Sequence, residues 1–381
     1  MLVGMNSPSL PYSQSLLWKL AQYYYLNRGQ ATWLLSETPY VLTSNLQFAY
    51  QLAWVIHAAL ESESQLPEKL SFLETGAGHG VFSMNFLKAF KDVCMLEKSD
   101  YFSRLSYWIS DYSPRYLQEI AVQPLLQPLI QSGQVQLLQL DITEIESCRN
   151  LRGERHLLPL GAFNAIFCNY VFDTLPLSVY QLRQGQLRQK WVSTRIEPNL
   201  PAVLPPQLYA LKDTVFVSEY RATQAEEPES PWLTAVLQKA QETGQSSGLL
   251  PASEPSFRAL SGLYGHLQPG GLLWLADKGY IGEAWLQAPD FWPQTYGLCV
   301  THQVNFPLLR DYLHELGAAC FCDPVSRHQL KFLLAQKSAG LSERLKHSLE
   351  YHFVQTNRNE SRFVKYVQDC DRLLRGQGPL F

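Results

Sequence analysis

The sequence predicts an α/β fold: a doubly wound, mostly parallel sheet with an N-terminal helical cap and an insertion before the fifth strand. Two observations carry this. Short apolar runs alternate with helical patterns from Leu70 onward, which implies parallel strands joined by crossover helices. The first run, Ser71–Glu74, leads into Gly76-Ala77-Gly78-His79-Gly80 and then an amphipathic stretch, Val81 to Phe90. A strand, a glycine turn and a helix start point to a nucleotide-type cofactor. Glycine permits positive φ and close backbone approach, and a helix N-terminus presents unpaired N–H groups.

The remaining elements follow in chain order. Residues 13–60 read as helical with a break at Pro39; Leu16, Leu17, Leu20, Tyr23 and Tyr24 recur at helical spacing. Thr43-Ser44-Asn45 supplies N-cap residues for a second helix through Leu60. The second strand spans Arg104–Asp111, the third Val135–Leu140 with Asp141 after it, the fourth Ala162–Cys168 with Asn169, and the fifth Leu272–Ala276 with Asp277. Each ends in a polar residue, and ligands of doubly wound sheets lie beyond the carboxyl ends of strands. Residues 197–256, rich in Pro, Ser and Gly, read as an insertion with a helix near Trp232–Thr243. A helix over Leu308–Leu316, a strand pair around Cys320 and Phe332, and a charged amphipathic tail over 341–373 complete the chain. The expected organisation is a helical cap (1–66), a cofactor domain (67–340) and a helical tail (341–381).

Composition bounds the function. The chain has 381 residues, 46% hydrophobic and 17% charged, which suits a sizeable core. A net charge of −3 without a basic block argues against binding held by phosphate neutralisation. The seven cysteines include no C-x-x-C pair, so no zinc ribbon or thioredoxin site is indicated; Cys320 and Cys322 read as core residues on one face of a strand. Neither a secretory signal nor an apolar run of membrane-spanning length is visible, so a cytoplasmic location without membrane partners is expected. The oligomeric state stays open. Val81 fills the third small position of the dinucleotide fingerprint and fails it, and the Walker pattern is absent.

Acid-x-Gly-x-Gly-x-Gly, from Glu74 to Gly80, resembles motif I of the class I S-adenosylmethionine (SAM) methyltransferases, whose fold is Rossmann-like. Three further blocks are similar to the MidA-like group, which includes mitochondrial complex I assembly methyltransferases. They are Tyr40 to Asn45, Asn169-Tyr170-Val171-Phe172-Asp173-Thr174-Leu175-Pro176, and Asp277-Lys278-Gly279 followed by Thr301 to Phe306. The likeness runs from residue 40 to about 335. Tyr170 replaces the group's usual acid, Asn305 its usual Asp, and Lys278 stands where an aromatic is common.

The resemblance implies a SAM-dependent methyltransferase acting on a protein, with arginine as the first guess. Cofactor-binding candidates are Glu74 (directly or through water), Gly76, Ala77, Gly78, Gly80, Asp111, Asp141, Ile142 and Asn169. The ribose is assigned to Asp111, with Glu97 as rival because it lies nearer the usual offset of ~20 residues. Asp141 suits the adenine amino group, or caps a helix instead. Catalytic candidates are Asn169, Asp173, Asp277 and His302; carboxylates can orient a guanidinium fork. Asp173 has the alternative of capping a helix over Leu175–Leu182, and His302 that of a satisfied core histidine. His79 reads as a cofactor contact or a turn residue, Lys278 as an exposed lysine or a binder of an acid, and Tyr23-Tyr24-Tyr25 as helix packing or a substrate stack. Two other functions are weighed: a catalytically silent SAM-binding assembly or scaffold protein, and methylation of a nucleic-acid base. The second lacks the Pro-Pro loop after strand four.

Overall fold

The computed structural model describes residues 8–29, 42–183, 186–196, 214–222, 247–281, 294–296, 299–322 and 330–355. In chain order the strands are β1 (Leu10–Pro11), β2 (Leu70–Thr75), β3 (Leu105–Asp111), β4 (Val135–Gln139), β5 (Arg149–Asn150), β6 (Phe163–Asn169), β7 (Ser178–Arg183), β8 (Gln186–Ile196), β9 (Thr214–Ala222), β10 (Ser247–Ala252), β11 (Leu267–Tyr280), β12 (Gln294–Tyr296), β13 (Cys299–Thr301), β14 (Val304–Asn305), β15 (Ala319–Cys322) and β16 (Leu330–Gln336). The helices are α1 (Leu16–Arg28), α2 (Leu46–Ser62), α3 (Val81–Leu96), α4 (Pro114–Ala121), α5 (Gln127–Gln131), α6 (Glu254–His266), α7 (Phe306–Glu315) and α8 (Glu343–Leu349).

The main sheet has the order β15-β16-β11-β6-β2-β3-β4-β5. Neighbours from β11 to β4 are parallel, and the outer pairs are antiparallel. The chain runs outward from β2 through β3 to β4, then returns to place β6 on the other side of β2. That reversal opens a crevice beyond the carboxyl ends of β2 and β6. Alternation along each strand builds two cores. Phe72, Phe167 and Trp274 join α2 and α3 on one face, while Leu73, Ile166 and Leu273 join α6 and α7 on the other. Burial on both faces explains why these strands read as apolar runs.

Local chemistry places the helices. Asn45 Oδ1 accepts from Phe48 N at 2.8 Å and starts α2. Asn305 and Ser342 cap α7 and α8 in the same way. The two N-terminal helices separate: α2 enters the main core, whereas Leu17, Trp18 and Ala21 of α1 pack with Leu177, Val179, Val192 and Leu249. Those last four belong to or adjoin a second sheet, the five antiparallel strands β1, β7, β8, β9 and β10.

Several expectations need correction. The segment Leu175–Leu182 is not a helix; its second half is β7, paired with β8 and β10. Asp173 therefore caps no such helix and lies in a 3-10 turn, Phe172–Thr174. The excursion from the main sheet begins at Ser178, not at residue 197. Cys320 and Cys322 are half-buried edge-strand residues, not full core. The helix expected near Trp232–Thr243 and the tail beyond residue 355 lie outside the described residues. Among the described residues no helix is long and apolar enough to cross a membrane.

Candidate functional site

A cavity of about 210 Å³ lies at the crevice. Its wall takes Gly76 and Gly78 from the turn after β2, Asp111 from the end of β3, and Leu140 to Thr143 from the segment after β4. Tyr170, Val171 and Asp173 follow β6, and Lys278 comes from β11. The carboxyl ends that the sequence singled out thus converge on one space.

The glycine turn is shaped by its neighbours. Gly76, Gly78 and Gly80 have φ of +64°, +55° and +77°. A Cβ on Gly76 would stand 2.5 Å from Val171 Cγ2, and one on Gly80 would stand 2.9 Å from Ile120 Cγ1. Side chains are excluded by conformation and by space. Gly80 is the N-cap of α3, and its C=O accepts from Met84 N at 3.1 Å. Ala77 N donates to Ser110 O at 3.0 Å, tying the turn to β3.

Asp111 is buried in this turn. Its Oδ2 accepts from Gly78 N at 2.8 Å and its Oδ1 from Ser113 N at 2.8 Å. Burial raises its carboxyl pKa to about 6, against the pull of those two N–H donors. The rival, Glu97, follows the C-terminus of α3 and is exposed, away from this cavity. Asp141 lines the cavity while its Oδ1 accepts from Thr143 N and Thr143 Oγ1 at 2.8 and 2.7 Å. These bonds close a turn ahead of the 3-10 helix Ile145–Ser147, whose N-cap is Glu144, so Asp141 caps no helix. Ile142 is buried in the same wall.

Glu74 does not line the cavity. Its Oε2 accepts from Ser83 Oγ at 2.6 Å and Tyr107 OH at 2.8 Å, so it sits beneath the turn and braces it. Burial lifts its carboxyl to about 7. His79 is partly buried, and burial lowers its imidazole to about 4.

The other end of the cavity holds a buried charge cluster. Asp277 Oδ2 accepts from Asp173 N at 3.0 Å, and its Oδ1 from Lys278 N at 2.8 Å. Lys278 Nζ lies 3.6 Å from Asp173 Oδ2 and donates to Thr301 Oγ1 at 3.3 Å. Lys278 is 4% exposed, which corrects the expectation of a solvated lysine. Burial raises Asp173 to about 6 with Lys278 opposing, and burial with the neighbouring Asp173 charge raises Asp277 well above the usual range. Asp173 Oδ1 accepts no hydrogen bond from the described residues.

Asn169, Asp277 and His302 stand behind the wall rather than on it. Both polar atoms of the Asn169 amide are buried without partners among the described residues. His302 has Nδ1 3.1 Å from Gln303 O and Nε2 3.1 Å from Leu175 O. Burial lowers it to about 4. Both ring nitrogens face backbone carbonyls, and the neutral ring can donate to one of them; this is a packed core histidine, held away from the cavity wall.

Sequence reasoning missed several wall residues. Ala21, Gln22 and Tyr25 bring α1 across the cavity, and Tyr112 and Tyr116 flank Asp111. Of the tyrosine run, Tyr24 is packed away at 2% exposure while Tyr25 reaches the cavity. Tyr170, noted only as a departure, takes φ +54° at the end of β6. A bulky residue there is strained, and such strain gathers at ligand sites.

Three features suit a cofactor of nucleoside and amino-acid parts. They are the turn open to backbone approach, the orphaned Asn169 amide, and acidic side chains after successive strands. Among the described residues no cluster of His, Cys, Asp and Glu could hold a metal ion. Residues 52–274 match the family described as "Putative S-adenosyl-L-methionine-dependent methyltransferase". Two solved structures from Burkholderia thailandensis, members of one superfamily, are similar in fold: an uncharacterised protein and a "likely methyl transferase". The first, a native structure, is 14% identical with a TM-score of 0.55, covering 86% of this chain and 87% of that one. The second, crystallised with S-adenosyl-homocysteine, is 14% identical with a TM-score of 0.56, covering 86% and 88%. No curated protein matches the sequence.

Proposed function

The chain belongs to the family of S-adenosyl-L-methionine-dependent methyltransferases, and from that premise we propose that it methylates a nitrogen of a protein side chain, with arginine the first candidate. The observation that carries the acceptor reading is Asp173: a buried carboxylate on the cavity wall whose Oδ1 has no hydrogen-bond partner among the described residues. Arginine donates in a planar fork that suits such a carboxylate. The similar fold that binds S-adenosyl-homocysteine supports the same placement of the donor.

When bound, SAM supplies a methyl group activated by its sulfonium charge. The chain's own residues do the rest. The backbone of the Gly76–Gly80 turn and the N-terminus of α3 would receive the carboxylate of the amino-acid part. Asp111 would accept from the ribose hydroxyls and Asp141 from the adenine amino group, with Ile142 against the ring. The Asn169 amide, short of partners, would meet polar groups near the transferring methyl. Glu74 would act at one remove, holding the turn through Ser83 and Tyr107. Asp173 would orient the acceptor nitrogen, and Asp277 would fix Asp173 through its backbone N–H. Displacement of this kind depends mainly on holding the two reacting atoms at near-attack distance.

Tritiated SAM, offered with a whole-lysate acceptor pool, tests this directly. Label should enter a protein fraction with the wild-type chain and not with Gly78→Arg. Label that ignores the substitution, or none at all, contradicts the proposal.

One observation favours a second reading, donor binding for assembly without transfer: Lys278 Nζ already faces Asp173. Calorimetry with SAM paired with the labelling assay separates the two. Turnover on any acceptor eliminates the silent reading.

A further inference from the structure

The acceptor end contains one carboxylate with spare capacity. Asp277 has each oxygen on a backbone N–H. Asp173 has one oxygen facing the Lys278 ammonium at 3.6 Å and the other without a partner among the described residues. All three side chains are at least nine-tenths buried. A lone buried carboxylate is costly, and an internal cation offsets that cost only while it stays near. A forked donor needs both oxygens of Asp173, so it cannot bind fully while Lys278 holds one of them. Lys278 has a second partner, Thr301 Oγ1 at 3.3 Å, itself on the cavity wall.

We propose that Lys278 is the specificity-determining residue of the acceptor end: its ammonium is a resident counter-cation on Asp173 that a guanidinium must displace, retreating towards Thr301 as the acceptor binds. The inference deepens the reading of this site as a cationic-nitrogen acceptor pocket, and rests on it. In this scheme the unpartnered Oδ1 takes the incoming N–H first, and Oδ2 is surrendered second. Lys278 thereby selects for acceptors able to make both bonds, because a single-point cation gains too little to move it.

Ethylguanidine is the probe, titrated into the full chain saturated with S-adenosylhomocysteine. Lys278→Met removes the resident charge while keeping an unbranched stem. It should bind the probe at least about tenfold more tightly than the wild type, as expected when a competing buried ion pair is lost. Thr301→Val removes the retreat position. It should weaken probe binding severalfold when Lys278 is present and leave it unchanged in the Lys278→Met background. Asp173→Asn should abolish probe binding in every background.

Equal or weaker probe binding by Lys278→Met overturns the inference, as does a Thr301→Val effect of the same size in both backgrounds. Should Lys278→Met fail to fold, Thr301→Val decides alone: wild-type affinity for the probe there overturns the inference. Absence of S-adenosylhomocysteine binding by the wild type removes the site reading, and the inference with it. Normal S-adenosylhomocysteine binding with probe affinity indifferent to Lys278 removes the inference only.

Discussion

Asp111, at the end of β3, accepts a 2.8 Å hydrogen bond from the backbone N–H of Gly78 in the turn after β2. The carboxylate that would grip a ribose also shapes the loop beside it. Asp111→Ala should therefore act on both. Loss of a buried, charge-assisted bond should lower stability by about 2 kcal/mol, and S-adenosylhomocysteine affinity should fall at least about tenfold. Asp111→Asn retains one acceptor oxygen and should cost less on both measures. Thermal melts and calorimetry on the same samples check this.

Asn169 should give the opposite sign for stability. Its amide has no partner among the described residues, so Asn169→Leu removes a buried polar group that is already unsatisfied. Without ligand the variant should be as stable as the wild type, or more so by about 1 kcal/mol. With ligand it should bind S-adenosylhomocysteine more weakly. A destabilised variant with unchanged ligand affinity would place the role of the amide in folding rather than in the site.

Gly76 tests the turn sterically. Gly76→Ala puts a methyl 2.5 Å from Val171 Cγ2 at φ +64°, and should cost about 1–3 kcal/mol. Val171→Ala in the same chain should recover part of that loss, since it removes the clash and leaves the φ penalty. If the double variant is no more stable than Gly76→Ala, the contact is not the cause. The comparison is read by denaturant melts at one temperature.

Burial raises the Glu74 carboxyl from 4.5 to about 7. Below about pH 4.5 it is protonated in both folded and unfolded chains and imposes no penalty. As pH rises through that window the unfolded chain ionises first, the folded chain holds more protons, and stability is lost until about pH 7. Glu74→Gln keeps an acceptor for Ser83 and Tyr107 without titrating. Its stability relative to wild type should rise between pH 4.5 and 7 by on the order of 3 kcal/mol and then level off. A pH-independent difference would contradict the assignment.

The main sheet was legible because each parallel strand is buried on both faces and ends at a polar residue. Leu70–Thr75 is one residue longer at each end than expected, and Phe163–Asn169 is shifted by one residue from the expected range. Asn45 was legible as a cap because its oxygen satisfies an N–H only three residues away. The second sheet was not recognised, because Leu175 to Leu182 also fits helical spacing. The signal that could have found it is the pair of residues, Gln184-Gly185, between two runs that alternate. The burial of Lys278 was beyond reach, since its partner Asp173 lies 105 positions earlier and meets it only through β6 and β11 packing. Glu74 was read as a ligand contact because sequence spacing locates the end of a strand but not the face its side chain takes; Ser83 and Tyr107 decide that face.

The central claim is that the turn after β2, backed by Asp111, is a SAM site. Titrating S-adenosylhomocysteine into the purified chain by calorimetry tests it most directly. The account predicts one site per chain, abolished by Gly78→Arg while the thermal melt remains cooperative. A wild-type chain that gives no heat and no ligand-induced rise in melting temperature would contradict it.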